Sequence, residues 1–175
     1  ELLQILEHAV SATEPGATPG QFPQVGGLAF SFDPTAQAQV LDGGTPTTEG
    51  ERIQSVALID DDGRPYKTII ENGEVVDGAP ENIKVVTLSF LAAPFRGDGY
   101  PFVDYSEVTD LGIGEQEALS TFLRTNFPED GDMAFSVADT DIARDTRIQN
   151  LSERSDTVLS TILDVAASND AFDIL

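Results

Sequence analysis

The sequence predicts an α/β (α+β) domain: a mixed, mainly antiparallel sheet of about four to six strands with flanking helices. Three observations carry that expectation. Alternating or β-branched apolar segments recur, separated by turn residues such as Asp62-Gly63. Other segments space their apolar residues at helical intervals. With 175 residues, 40% of them hydrophobic, the chain is long enough to bury a core and too apolar for a disordered tail. Residues 1–175 read as a single domain, with a core over about 1–151 and a helical C-terminal extension over 152–175.

The first element, Leu2 to Val10, has helical apolar spacing and should end before Glu14-Pro15-Gly16. Thr18-Pro19-Gly20 turns the chain. Gln24 to Asp33 alternates and reads as a strand, with Gly26 and Gly27 marking a bulge or a close backbone approach. Pro34 to Gly50, rich in Gly, Thr and Pro, reads as a surface loop. Arg52 to Asp60 and Tyr66 to Ile70 read as strands joined by a turn at Asp61 to Pro65. Ile83 to Leu88 is β-branched and reads as a buried strand. Glu115 to Asn126 puts Ala118, Leu119, Phe122 and Leu123 on one face and reads as a helix packed on the sheet. Met133 to Val137 reads as a short strand and Asp156 to Ala167 as a last helix.

Charge narrows the function. The net charge is −22, from 31 acidic and 9 basic residues. Such a surface repels a phosphate backbone, so a nucleic acid polymer is not an expected partner. No apolar run is long enough to span a bilayer, so no membrane span is expected. Cysteine is absent, which removes disulfides, thiol nucleophiles and Cys-ligated metals. His8 is the only histidine and reads as part of a structural helix. The run Asp60 to Asp62 invites a calcium reading. An EF-hand count from Asp60 ends on Glu71, but Pro65 takes the Gly position, Arg64 takes a ligand position and strands flank the loop. A turn is the better reading. Asp130 and Asp132 are the remaining acidic pair for a loose calcium site, and no metal ligand or catalytic residue is assigned to this chain.

The stretch Leu88 to Tyr100 concentrates the chemistry. It holds Phe90 and then Gly97-Asp98-Gly99, where glycine lets the backbone take positive φ or approach a ligand closely. An aromatic face and a carboxylate are what a nucleoside needs: a stacking surface for the base and an acceptor for ribose hydroxyls. The same residues also fit a core Phe and a turn Asp.

Three segments stand in a suggestive order: Leu6-Glu7-His8-Ala9-Val10, then Gly20-Gln21-Phe22-Pro23-Gln24-Val25-Gly26-Gly27-Leu28, then Ser89-Phe90-Leu91-Ala92 leading to Gly97-Asp98-Gly99-Tyr100. This order resembles the C-terminal substrate-recognition domain of the 5'-nucleotidase family, which includes UDP-sugar hydrolases. The matching patterns there are LEHSV, G-x-F-x-Q-V-x-G-[LI] and N-F-L-A-x-G-G-D-G-[FY]. The resemblance runs from about Leu2 to about Tyr100 and less specifically on to Arg147.

The resemblance implies that this chain is the later part of such a domain, cut from an exported metal-dependent 5'-nucleotidase, phosphatase or UDP-sugar hydrolase. Phe90 would stack the base, Asp98 would bind ribose and Gly97 would approach the ligand. Ala93-Pro94-Phe95-Arg96 lengthens the loop by two residues, so Phe95 is the alternative stacking ring. The divalent metals of a two-metal site would lie in an N-terminal metallophosphatase domain of the same parent chain. The substrate would be a nucleotide or related phosphoester, and the location periplasmic, extracellular or at the cell surface. The competing class is a non-catalytic interaction or structural module of an acidic cell-surface or secreted protein.

Overall fold

The computed structural model describes residues 1–14, 17, 19–92, 96–103, 108–127 and 145–160. By its contacts the chain divides into two units, Glu1–Val103 with Asp141–Leu175, and Asp104–Thr140. The first unit contains α1 (Leu2–Val10), β1 (Leu28–Phe32), β2 (Val40–Asp42), β3 (Thr45–Thr48), β4 (Ile53–Ile59), β5 (Pro65–Glu71), β6 (Glu74–Val75) and β7 (Ile148–Asn150). The second contains α2 (Glu115–Asn126). Among the described residues no helix is long and apolar enough to cross a membrane.

Five strands form one sheet in the order β6-β5-β4-β1-β7. All its pairings are antiparallel except β1 with β7. The sheet is therefore mixed and mainly antiparallel, as expected. The sequence of β1, Leu-Ala-Phe-Ser-Phe, suits a central strand because successive side chains alternate between faces and both faces are covered. Phe30 and Phe32 join Leu6 and Val10 of α1 with Ile53, Val56, Ile69 and Ile70 in the main core. Ala29 packs instead with Ile59 and Val158. Full burial of each large apolar side chain is worth about 1.5–3 kcal/mol, so this cluster dominates the stability of the unit.

Short-range chemistry sets the register. The strand expected from Gln24 starts only at Leu28, because Gly27 has φ +74 and breaks the extended backbone. The three-Asp run forms a turn, as expected. The Asp60 carboxylate accepts hydrogen bonds from the N–H groups of Asp62 and Arg64, closing the β4–β5 hairpin.

Several expectations need correction. Pro34 to Gly50 is not only a loop: β2 and β3 form a separate two-stranded hairpin. Its turn residues Gly43 and Gly44 both have positive φ, the geometry of a tight two-residue hairpin loop. Asn72-Gly73 makes a second such turn and adds β6 at the sheet edge. The strand expected over Ile83 to Leu88 is absent. These residues form no ladder, and Val85, Val86 and Leu88 are exposed, Val86 by 81%. The helix expected over Glu115 to Asn126 forms, but its apolar stripe is not buried: Leu119 and Phe122 are exposed. Residues 158–160 begin the last expected helix. The rest of that helix, the strand expected over Met133 to Val137, Asp130, Asp132 and Phe95 lie outside the described residues.

Candidate functional site

The candidate site is held up by a buried polar latch. Glu7 of α1 is buried, and its carboxylate accepts the backbone N–H of Ile53 at 2.7 Å and of Arg52 at 3.1 Å. Burial pushes the Glu7 pKa up, and the two N–H bonds pull it part of the way back. A Cβ on Gly50 would overlap the Glu7 carboxylate, so only glycine leaves room there. The Arg52 guanidinium, also buried, donates through Nη1 to the carbonyls of Val10, Ser11 and Thr13 and through Nε to Ala36. It adds a cationic donor to the Val10 carbonyl and to those of the turn that follows, at the negative C-terminal end of α1. These two residues fix α1 against β4.

The loop from Leu88 to Tyr100 is anchored to α1 from the other direction. His8 donates its Nε2–H to the carbonyl of Asp98 at 2.7 Å and meets the Tyr100 ring edge-on at 5.0 Å between centroids. Tyr100 is buried and donates its hydroxyl to the Gln21 carbonyl at 2.6 Å. Burial, with the Asp98 charge adding to it, pushes the phenol up to about 12. The Gln21 side-chain amide in turn donates to the His8 carbonyl and to Ser11 Oγ. His8 is structural, as the sequence suggests, and the residues it ties together are those of the three quoted segments.

This anchoring sets the loop geometry. Asp98 sits at φ 55 in a single 3-10 turn, Gly97–Gly99, and is exposed. Gly99 has φ +75, as a glycine at that point allows. Gly97 serves differently: a Cβ there would overlap the Phe90 ring, and its N–H donates to the Phe90 carbonyl at 2.7 Å. Phe90 therefore lies across Gly97 with 57% of its surface exposed. It is not a core residue. Phe90, Gly97 and Asp98 are thus in one compact loop.

Beside this loop is a cleft of about 550 Å³. His8, Ser11, Gln21 and Gly99 line it together with Gln39, Val40, Leu41, Gly43, Gly44 and Arg96. Phe90 and Asp98 are not among its lining residues. Neither Gln39 nor Arg96 belongs to a motif that points to function. The one available signal was charge: Arg96 is one of only nine basic residues in a strongly acidic chain. Gln39 carries no such mark. It is 5% exposed, and neither atom of its side-chain amide has a hydrogen-bond partner among the described residues. A buried polar group left unpaired costs about 1–3 kcal/mol.

Arg147, where the looser part of the resemblance ends, forms no ion pair among the described residues. The described residues also gather no group of three or more His, Asp and Glu side chains that could hold a metal ion. Comparison of the chain with protein-family models, with curated proteins and with solved structures gives no match in any of the three.

Proposed function

We propose that this chain is the nucleotide-recognition part of an exported metal-dependent 5'-nucleotidase or related phosphoester hydrolase. The observation that carries the reading is Phe90. Its ring lies over Gly97, mostly in solvent, one residue before the exposed carboxylate of Asp98. A large apolar ring held in water by a glycine platform suits stacking on a base, worth about 1–3 kcal/mol per base. Asp98 accepts ribose hydroxyls as a charged acceptor. The metal ions belong to a metallophosphatase domain of the same parent chain, and this chain contributes binding and orientation only.

The test is a titration of the chain with AMP and with UMP, followed by calorimetry. Saturable binding that Asp98→Asn weakens mildly is expected, because the amide oxygen still accepts but without the charge. Absence of binding by either nucleotide contradicts the reading.

One observation favours a second reading, an interaction or structural module of an acidic cell-surface or secreted protein. Val85, Val86 and Leu88 form an exposed apolar run, which marks a contact surface more often than a ligand site. That reading requires nucleotide affinity to be absent and Val86→Asp to abolish association with the partner.

A further inference from the structure

We propose that the cleft bounded by His8, Gln39, Gly43, Gly44 and Arg96 binds a small organic carboxylate that also carries an amide-like hydrogen-bonding edge. The inference goes beyond the nucleotide reading and stands without it. It rests first on charge. The chain carries 31 acidic residues, yet none of the described residues lining this cleft is Asp or Glu. The lining instead contains Arg96 and the single histidine. Arg96 donates its Nε–H to the Phe102 carbonyl at 2.8 Å, and its Nη groups, near Gly44, have no hydrogen-bond partner among the described residues. A guanidinium offers a planar fork of donors that matches a carboxylate bidentately. A single permanent cation balances one negative charge, which favours a carboxylate over a phosphate dianion in a chain of net charge −22.

The second support is Gln39. Gln39 lines the same cleft, and its side-chain amide is buried with neither its donor nor its acceptor satisfied among the described residues. Burial without pairing is unfavourable, and a ligand edge with one acceptor and one donor removes the deficit. Gly43 and Gly44, at positive φ in the β2–β3 turn, add no side chains to this wall.

Succinamate, a carboxylate with one primary amide, is the probe. Titrated into the isotope-labelled chain, it should cause saturable shifts at the Gln39 side-chain amide, Gly43 and Gly44. Succinate, which lacks the amide, and succinamide, which lacks the charge, should bind about tenfold or more weakly, the usual loss of one buried or charged hydrogen bond. Gln39→Leu should weaken succinamate by a similar factor without lowering the melting temperature, since it removes an unpaired amide. Arg96→Gln should weaken it too. Lys67→Gln, which removes one charge from an exposed position on β5, should not. The proposal is overturned if saturating succinamate shifts none of these residues. It is equally overturned if Gln39→Leu binds as well as the unmodified chain, or if Lys67→Gln weakens binding as much as Arg96→Gln.

Discussion

Residues 53–59 and 83–88 are alike in local composition and opposite in structure. Both are apolar and β-branched. The first is β4, whose Ile53, Val56, Ala57 and Ile59 are buried. The second makes no ladder and leaves Val86 81% exposed. The difference lies outside both segments. β4 is fastened at its start by the Glu7 carboxylate, paired on one side with β1 and turned back onto β5 by Asp60. The later run follows Gly78-Ala79-Pro80 and meets no strand. β-propensity describes fitness for a pleated, half-buried surface, and it becomes a strand only where a neighbour supplies that surface.

The largest effect that sharpens this contrast is expected at Phe30. Phe30→Ala empties a fully buried site and should cost about 3–5 kcal/mol in denaturant unfolding. Val86→Ala, in the exposed run, should stay within about 0.5 kcal/mol. Equal losses at the two positions would erase the distinction between the regions.

Next comes the latch. Glu7→Ala leaves the N–H groups of Arg52 and Ile53 without their acceptor and should cost about 1–3 kcal/mol for each, read from the same unfolding curves. A neutral result would mean that α1 is held by its apolar packing and the Arg52 contacts without help from Glu7.

A smaller, pH-dependent effect follows from the burial of the same carboxylate. The folded-state pKa of Glu7 lies above its ordinary value of 4.5. The protonated form therefore favours folding. That contribution is fully present below the unfolded pKa and is lost as pH rises through the raised folded one. Glu7→Gln removes the titration. The stability of the unmodified chain minus that of Glu7→Gln should fall as pH rises from acid toward neutral. Asp33 and Asp156 act oppositely: hydrogen bonds from Thr35 and from Arg154 hold their pKa values down, so their contributions are lost at acid pH. Both are present in each protein and cancel in the difference. A difference that is flat with pH would contradict the burial of a titrating Glu7.

Much of the sheet was legible in the sequence because periodicity and turns are local signals. α1, β4, β5 and α2 formed where apolar spacing and flanking turn residues placed them, and β1 formed over the second half of its expected span. The two hairpins missed at Gly43-Gly44 and Asn72-Gly73 carried a readable signal, the glycine and asparagine that positive φ requires. What could not be read was relational. Nothing local to Glu7 or Arg52 says that one accepts from β4 and the other caps α1. Nothing near Gln39 marks it as a buried, unpaired amide. At the candidate site, the grouping of Phe90, Gly97 and Asp98 was legible. The reason for Gly97 was not: it makes room for a ring rather than taking positive φ.

Whether the exposed loop is a ligand surface is decided most directly at Phe90, by measuring AMP affinity and melting temperature on the same Phe90→Ala protein. A stacking ring predicts a rise in Kd of roughly ten- to hundredfold, the equivalent of about 1–3 kcal/mol. Because more than half of the residue's surface is already in solvent, the melting temperature should stay close to that of the unmodified chain. Unchanged AMP affinity with a large melting loss would contradict the account, since it would make Phe90 a packing residue and leave the loop without its base platform.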